Sequence, residues 1–591
     1  MARTTADFML ERLSDWGVRH IYGYPGDGIS STLEALEKDP ERFAFVQGRH
    51  EEECAFMACA HAKWTGEVGV CLATSGPGAI HLLNGLYDAK LDHQPVLAIV
   101  GQQDRAALGG AYQQEVDLQT LFKDVARDFV HVCQSPTQMR HLVDRAMRIA
   151  RAKRSVTCII LPDDVGMEAA VETPPHEHGT VLSGIGHAPE PRILPPAAEL
   201  RRAAAVLNEA KRPAIMIGAG AIGAGAELRA VAERLGAGVC KALLGKAALP
   251  DDLPYVTGQM GLLGTSPSYD LMMDCDAFLM VGSGFPYSEF MPKEGRARGV
   301  QIDIDAGMLS IRYPMEVNLL GDARHTLEEL LPLLEEKTDR SWRERIEKDV
   351  AKWWQGVERR ALHDGDPVNP QRLFWECSPR LPDNAIISAD SGSAANWFAR
   401  SIRIRDGMKA SLSGTLATMC PGVPYTTAAK FTHPDRVAVG FVGDGAMQML
   451  GNAGLITIAK YWRAWTDPRC VIAVLNNEDL NQVTWEMRAM GGFPKLEETQ
   501  KVPSFDYAAY ARSLGLGGIR VEGPDQIGPA WDEAFSADRP VVIDCLCDAT
   551  IPTLPPKVTL DQRINYFKTL MKGDEDEGSI IRNSFKRYFT T

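Results

Sequence analysis

Short apolar runs of four to six residues recur along the whole chain, and a segment with helical periodicity follows each of them. Such runs are typical of strands buried on both faces, and their alternation with helices favours parallel sheets. The runs that we predict as strands are Val68–Ala73, Val96–Val100, Cys158–Leu161, Ala214–Ile217, Ala277–Val281, Val300–Ile304, Ala385–Ser388, Ala438–Val442, Val471–Leu475 and Val541–Cys545. The pattern predicts an α/β fold of doubly wound parallel sheets.

Two stretches interrupt this alternation. Residues 173–196 are rich in proline, histidine and glycine, and residues 337–370 run from a charged helical pattern into a loop. A chain of 591 residues has material for several cores, at ~150 residues for each domain. We therefore predict domains at residues 1–180, 190–336 and 365–552, followed by a short C-terminal tail at residues 553–591.

Composition excludes several classes of function. The 63 basic and 77 acidic residues give a net charge of −14, which disfavours binding to a nucleic-acid backbone. No apolar run approaches the ~20 residues that cross a bilayer, and the N-terminus lacks the apolar core of a signal peptide. The twelve cysteines contain no C-x-x-C pair, which indicates reduced thiols in the protein core. We expect a cytoplasmic protein that does not bind nucleic acid.

The strongest chemical signal follows two predicted strands. Gly443-Asp444-Gly445 comes directly after the first of them, and Asn476-Asn477 comes after the next. Glycines and a helix start leave main-chain N–H groups free for a phosphate, while carboxylate and amide oxygens suit Mg²⁺. A lone Gly-Asp-Gly is equally common in a plain turn. The asparagine pair after the second strand favours a magnesium and phosphate site.

Together these two motifs resemble the diphosphate motif of thiamine diphosphate enzymes of the acetolactate synthase and pyruvate oxidase type. Other segments similar to that family are Arg49–Glu51, Ser75–Gly78, His81–Asp88, Pro95–Gly101, Val281–Tyr287, Ile302–Asp305, Ala417–Met419 and Gly422–Pro424. The resemblance spans residues 4–570 and implies a pyrimidine-binding, a middle and a diphosphate-binding domain. Gly518–Glu522 is similar to the pyruvate oxidase branch, which includes the quinone-linked pyruvate dehydrogenase.

The resemblance implies a role for each matching residue. Glu51 would be the catalytic glutamate that hydrogen-bonds the aminopyrimidine ring of the cofactor, and Met419 would bend the cofactor. Mg²⁺ would be bound by the side chains of Asp444 and Asn477 and by the carbonyl of Asp479. The other residues that would contact the cofactor are Pro25, Ser75, Gly76, Pro77, Asn84, Thr418, Gly443, Gly445 and Ala446.

Glu51 and Met419 each have an alternative, purely structural interpretation. Glu51 could belong to an acidic surface run, although that leaves the preceding strand and the small-residue helix after it unexplained. Met419 could be an ordinary core residue, which is the commoner role of methionine in an apolar segment.

The middle segment contains Gly218–Gly223, which formally matches a dinucleotide-binding fingerprint. An NAD site would need an acidic residue about 20 positions further on, and Ala237–Lys241 contains none. The resemblance implies FAD instead, with contacts from Gly218, Gly220, Gly282, Asp303 and Asp305. Some relatives keep this domain without any flavin, so a flavin-free middle domain stays open.

Two glutamines stand at positions where the quinone-linked relatives have phenylalanine. These are Gln113 and Gln482, and Glu486 matches an acidic active-site position of the pyruvate oxidases. A buried amide without a partner costs roughly 1–3 kcal/mol, so we expect both glutamines to be hydrogen-bonded. Their partner could be a more oxygenated 2-oxo acid, an acceptor aldehyde or water. Drift within the lineage is the alternative.

These residues predict decarboxylation of pyruvate or a similar 2-oxo acid with electrons passed to FAD. An acetolactate synthase-like carboligase is the alternative, with a structural flavin or none. A homologue without turnover is a third, against which the presence of Glu51, Asp444 and Asn477 counts. The resemblance also implies a homo-oligomer, a dimer or tetramer, in which Glu51 of one subunit faces Asp444 of another.

The C-terminal tail predicts one further contact. A helix over Ser579–Phe589 would place Ile580, Ile581, Phe585 and Tyr588 on one face and Arg582, Lys586 and Arg587 on the other. A basic amphipathic helix suits an anionic membrane surface. Packing on a neighbouring subunit is an equal alternative for so short a segment.

Overall fold

The computed structural model describes residues 3–186, 191–553 and the single residues 555, 565, 569, 574, 576, 578, 579 and 583. This described part of the chain contains three six-stranded parallel sheets with helices between the strands. The predicted α/β class with three doubly wound sheets is therefore confirmed. The residues on which the two faces of the tail helix were predicted lie outside the described residues.

The first sheet has the strand order β2-β1-β3-β4-β6-β5. Its strands are β1 (His20–Gly23), β2 (Ala44–Gln47), β3 (Gly69–Ala73), β4 (Val96–Gln102), β5 (Val130–Val132) and β6 (Val156–Pro162). Its helices are α1 (Thr5–Asp15), α2 (Ser30–Lys38), α3 (Glu51–Thr65), α4 (Pro77–His81), α5 (Leu83–Leu91), α6 (Leu118–Phe122), α7 (Met139–Lys153) and α8 (Asp163–Met167). Helices cover both faces, so β3, β4 and β6 are buried throughout.

The middle sheet has the order β12-β11-β10-β7-β8-β9. Its strands are β7 (Pro213–Ile217), β8 (Gly238–Lys241), β9 (Val256–Gln259), β10 (Ala277–Val281), β11 (Arg298–Asp303) and β12 (Val317–Leu320). Its helices are α9 (Ala197–Glu209), α10 (Gly225–Leu235), α11 (Ser266–Asp274) and α12 (Ala323–Leu330), and α13 (Ser341–Ala361) follows them. The direction of winding reverses between β7 and β10, which is where open α/β sheets bind ligands.

The third sheet has the order β14-β13-β15-β16-β18-β17. Its strands are β13 (Ile386–Ala389), β14 (Lys409–Ser411), β15 (Ala438–Gly443), β16 (Cys470–Asn476), β17 (Gly517–Val521) and β18 (Val541–Leu546). Its helices are α14 (Pro370–Cys377), α15 (Ser393–Ser401), α16 (Gly422–Thr432), α17 (Asp444–Ala446), α18 (Asn452–Tyr461), α19 (Asn481–Glu486), α20 (Glu497–Gln500), α21 (Tyr507–Ser513) and α22 (Ile527–Ser536). Counted within each domain, its strand order equals that of the first sheet.

Helix α3 of the first domain packs on α16 of the third domain within the one chain, and their residues share one hydrophobic core. The Trp64 indole N–H donates to the Tyr425 carbonyl at 3.0 Å. The carboxylate of Asp92 accepts from the N–H groups of Gly414 at 2.9 Å and Thr415 at 2.7 Å. These contacts fix the first and third domains against each other within the chain.

All twelve cysteines are buried and unpaired. Most of them lie in strands and helices, as Cys158, Cys240 and Cys470 do. The prediction that the cysteines belong to the protein core is thus confirmed.

Candidate active site

The third sheet brings Asp444 and Asn477 to one edge, because β15 and β16 are adjacent parallel strands that end together. Asp444 Oδ2 accepts hydrogen bonds from the main-chain N–H groups of Asn477 at 2.9 Å and Glu478 at 2.6 Å. Asp444 Oδ1 accepts from the N–H of Gly445 at 2.8 Å. The backbone therefore fixes this carboxylate between the two strand ends.

Burial raises the pKa of Asp444 to about 7, against the opposing effect of its three N–H donors. A bound divalent cation would favour the ionised form. The carboxylate of Asp479 accepts hydrogen bonds from Asn481 at 3.1 Å and Thr484 at 2.9 Å and lies 3.5 Å from Lys495 Nζ, so these groups occupy it. Only the carbonyl of Asp479, which already accepts from Asn481 N–H at 2.6 Å, is left as a ligand. This arrangement fits the carbonyl role that the resemblance implies.

The glycines at this edge have different surroundings. A Cβ placed on Gly443 would meet nothing within 4 Å, so its backbone borders open space. A Cβ on Gly445 would lie 2.7 Å from Leu480 Cδ2 and 3.4 Å from Met419 Cε. Gly443 leaves room for a phosphate, whereas Gly445 permits close packing beneath Met419. Ala446, also predicted at the cofactor, is buried in α17.

Asp390, which the sequence analysis missed, organises the loop that carries Met419. Its carboxylate is fully buried at the end of β13 and accepts from the N–H groups of Ser391, Cys420 and Gly422, each at 2.9 Å. Burial raises its pKa to about 7. The only local signal was an aspartate two residues after a predicted strand.

On the first domain, Glu51 is the first residue of α3 and is 8% exposed. Its Oε2 hydrogen-bonds His81 Nδ1 at 3.0 Å, and the His81 ring lies 4.4 Å from that of His50. A Cβ on Gly78 would lie 3.1 Å from Glu51 Oε1 and 2.8 Å from Thr74 Cγ2. The first turn of α4 therefore closes directly over this carboxyl group, which leaves it largely shielded from water.

The remaining residues predicted on this edge form its wall. The Ser75 hydroxyl donates to Gln114 Oε1 at 3.3 Å and accepts from Gln103 Nε2 at 3.1 Å. Gly76 has a φ of +61° and lies against Gln114, so it needs the freedom of glycine. Pro77 begins α4, and Pro25 is half-buried after β1. Gln103 and Gln114 were missed by the sequence analysis.

Asn84 joins the two edges. Its amide donates to Glu52 Oε1 at 2.7 Å and to Thr418 Oγ1 at 3.0 Å, where Thr418 precedes Met419 in the third domain. The predicted pyrimidine-side and diphosphate-side residues thus meet within one chain. The prediction that Glu51 and Asp444 also meet between subunits stays a prediction.

The two predicted substrate-side glutamines differ in their environment. Gln482 is half-buried, and its amide contacts Asn396 at 2.6 Å and Glu486 at 2.9 Å. Gln113 lies in an exposed segment beside Tyr112, whose exposed fraction is 57%. Water can therefore serve as the hydrogen-bond partner of Gln113, which is one of the three partners that the sequence left open.

In the middle domain, the predicted glycines bring two loops into contact at the switch point. A Cβ on Gly218 would lie 2.3 Å from the Gly282 carbonyl oxygen, and one on Gly220 would lie 2.8 Å from Gly282 Cα. Asp303 ends β11 and Asp305 follows it, and the carboxylate of each accepts the N–H two residues further on, at 3.0 and 2.8 Å. Loop packing therefore explains the fingerprint glycines without a nucleotide.

Exposed apolar side chains border the same crevice. Ile222, Tyr287 and Ile304 lie in the loops after β7, β10 and β11 and are 54%, 44% and 53% exposed. Exposed apolar side chains grouped in this way are typical of a ligand-binding surface.

The class of protein follows from these observations. The first and third domains have the same strand order. One carries a shielded glutamate, and the other carries a carboxylate and an amide that accept hydrogen bonds from the main chain. This combination is that of a thiamine diphosphate enzyme. Thiamine pyrophosphate (TPP) is another name for thiamine diphosphate. Three family profiles of thiamine pyrophosphate enzymes match the chain: the N-terminal TPP binding domain at residues 3–121, the central domain at 200–330 and the C-terminal TPP binding domain at 390–545. The chain belongs to the thiamine pyrophosphate enzyme family.

Similar proteins cover almost the whole chain. A putative thiamine pyrophosphate-containing protein of Bacillus subtilis, YdaP, is 34% identical over 99% of this chain and 100% of its own. A pyruvate oxidase of Lactiplantibacillus plantarum is 28% identical over 94% of this chain and 90% of its own. A probable acetolactate synthase large subunit of Methanocaldococcus jannaschii is 29% identical over 98% of each.

Among the residues that the structure describes, no helix has both the length and the apolar character needed to span a membrane.

Proposed function

We propose that the protein uses thiamine diphosphate and Mg²⁺ to decarboxylate pyruvate or a similar small 2-oxo acid and passes the electrons to FAD. The observation that carries this proposal is the meeting of two unlike edges, Asp444 and Asn477 on one and Glu51 on the other, linked by Asn84 and Thr418. The net reaction converts the 2-oxo acid and water into the shorter carboxylic acid and CO₂. Two electrons and two protons go to the flavin.

The residues fit the cofactor. Asp444, the Asn477 amide oxygen and the Asp479 carbonyl offer three oxygen ligands for Mg²⁺, which usually shares phosphate oxygens as well. Bound thiamine diphosphate supplies a carbon nucleophile that stabilises the charge left when CO₂ departs. Glu51 would hold a proton for the aminopyrimidine, and the first turn of α4, which carries Gly78, would keep water from that carboxyl group.

The middle domain supports FAD as the electron acceptor. Its switch-point crevice is bordered by the exposed Ile222, Tyr287 and Ile304, and a relative over nearly the whole length is a pyruvate oxidase. A probable acetolactate synthase is about as similar to this chain as the pyruvate oxidase is, which favours a second candidate function. In that reaction the decarboxylated fragment is joined to another carbonyl compound. The two candidates differ in whether the flavin changes its redox state.

We also propose a homo-oligomer, a dimer or tetramer, whose subunits cover each other's active-site edges. Ile80 follows the Ser75–Gly78 turn and is 45% exposed, while Met449 follows the Asp444 turn and is 65% exposed. Large exposed apolar side chains beside a site favour a second subunit that covers them. Light scattering of the holoenzyme tests this, and a monomer with full activity would contradict it.

An anaerobic reaction tests the chemistry. Purified protein is mixed with pyruvate, thiamine diphosphate and Mg²⁺, and CO₂ release and the flavin absorption band are recorded. We expect CO₂ release that needs both cofactors, and a flavin band that bleaches in step with it. CO₂ release with an unbleached flavin and a longer hydroxy-oxo acid as product would favour ligation. No CO₂ from any small 2-oxo acid would exclude both candidates.

A further inference from the structure

Three polar side chains form a short chain at the rim of the diphosphate edge. Asn396 lies on α15 and is fully buried, Gln482 is the second residue of α19, and Glu486 is one turn further on. Asn396 Nδ2 donates to Gln482 Oε1 at 2.6 Å, and Gln482 Nε2 donates to Glu486 Oε1 at 2.9 Å.

The carboxylate of Glu486 determines how both amides point. An ionised carboxylate only accepts hydrogen bonds, so Gln482 must turn its NH₂ group toward Glu486. Its carbonyl oxygen then faces Asn396, which must donate. The reverse orientation would bring two oxygen acceptors together, and the charge on Glu486 excludes it.

This chain leaves bonding capacity unused among the described residues. The amide oxygen of Asn396 is buried and has no hydrogen-bond partner there. Gln482 keeps one free N–H, and the second oxygen of Glu486 can accept another bond. Gln482 is half-buried and Glu486 is exposed, so a bound group that both donates and accepts hydrogen bonds can reach these two free positions.

Neighbouring contacts place this network at the reaction site. A Cβ on Gly392 would lie 3.7 Å from Gln482 Cβ, and the adjacent Ser391 hydroxyl donates to the Thr418 carbonyl at 2.6 Å. Thr418 directly precedes Met419, which lies over Gly445. Gln482 therefore stands between the loops that follow β13 and β16, beside the cofactor-side methionine.

We propose that Gln482 and Glu486 select a 2-oxo acid that carries a hydroxyl group on its side chain, such as hydroxypyruvate, an inference that rests on the proposed function. A hydroxyl group can donate to Glu486 and accept the free N–H of Gln482 at the same time. The methyl group of pyruvate can do neither. The negative charge of Glu486 opposes a second carboxylate, so dicarboxylic 2-oxo acids are excluded.

Substrate comparison tests the proposal on the holoenzyme. We expect kcat/KM for hydroxypyruvate to exceed that for pyruvate by about tenfold, the effect of one charge-assisted hydrogen bond, and that for 2-oxoglutarate to be the lowest. Gln482→Met keeps the side-chain length but removes the N–H that the hydroxyl group would accept and the bond that holds Glu486 in place, so the ratio of hydroxypyruvate to pyruvate should fall toward one. Val483→Met, on the exposed neighbouring position of α19, serves as the matched control and should keep the ratio.

A binding measurement separates this inference from the proposed function. Glycerate and lactate differ by the same hydroxyl group and need no turnover, so calorimetry should give a dissociation constant about tenfold lower for glycerate, a preference that Gln482→Met removes. Equal binding of glycerate and lactate, or a preference that survives Gln482→Met, would overturn the inference. If no 2-oxo acid is decarboxylated while glycerate is still preferred, the proposed function fails and the selection by Gln482 stands.

Discussion

The first and third domains have the same strand order within their sheets, yet their carboxyl edges carry opposite chemistry. In the third domain the third and fourth strands, β15 and β16, lead into Asp444 and Asn477. The contacts of these two side chains are mainly with main-chain N–H groups. In the first domain the equivalent strands β3 and β4 lead into Ser75 and Gln103, which bond each other through neutral side chains.

The difference shows that the scaffold decides where a functional group stands, and the residue after each strand decides what it can bind. Both Glu51 and Met419 follow the second strand of their domain, β2 and β14. One supplies a shielded carboxyl group and the other an apolar support. A cofactor with a charged and an uncharged end can therefore be held by two copies of one fold.

Asp444→Asn should cause the largest loss. The substitution removes the negative charge from the diphosphate edge, so we expect Mg²⁺-dependent binding of thiamine diphosphate to disappear. Turnover should fall roughly 10³-fold, because a bound metal contributes several kcal/mol to catalysis. Cofactor titration and CO₂ release measure both. Asp479→Asn is the matched control, because that carboxylate is occupied by Asn481 and Thr484. Equal losses in both variants would refute the assignment of Asp444.

Glu51→Gln should separate binding from turnover. We expect CO₂ release to fall about 10²-fold, because an amide cannot hold the exchangeable proton, while the affinity for Mg²⁺ and thiamine diphosphate stays within about threefold. Glu52→Gln removes an equally charged neighbour that contacts Asn84, and it should keep most of the activity. Undiminished turnover in Glu51→Gln would contradict the catalytic role.

A pair of glycine substitutions should give the smallest effects and the finest contrast. Gly78→Ala forces a methyl group toward Glu51 and Thr74, so we expect a loss of about 1–3 kcal/mol in the free energy of unfolding. Gly443→Ala meets open space and should change that free energy by less than about 0.5 kcal/mol, while the affinity for the cofactor falls. Denaturant titration and cofactor binding distinguish them. A destabilised Gly443→Ala would show that this space is filled by the protein.

The ten strands predicted from the sequence all lie inside the sheets, and the strands that it missed are the six edge strands and the interior strands β1 and β8. Strands such as β4 and β16 are buried along their whole length, so each is an uninterrupted apolar run. The edge strands β2, β5 and β17 are short and partly exposed, and their residues do not form such a run. Exposure on one side removes the signal that periodicity depends on.

The site was predicted where a motif is local. Asp444 and Glu51 stand in short segments whose neighbours also match, so the pattern alone was sufficient to select them. Asp390 and Asn396 are single polar residues in otherwise ordinary segments. Their importance lies in partners far along the chain, Cys420 for the first and Gln482 for the second.

The sequence by itself determined the fold class and the family, and it predicted the residues that would bind magnesium and diphosphate, because apolar runs and motif spacing are properties of neighbouring residues. Only the tertiary structure decided that Asn84 bonds Thr418, 334 positions away, and that Asn396 orients Gln482, 86 positions away. The physical reason is that a hydrogen bond depends on which loops end at the same edge of a sheet. That edge exists only once the strands have paired.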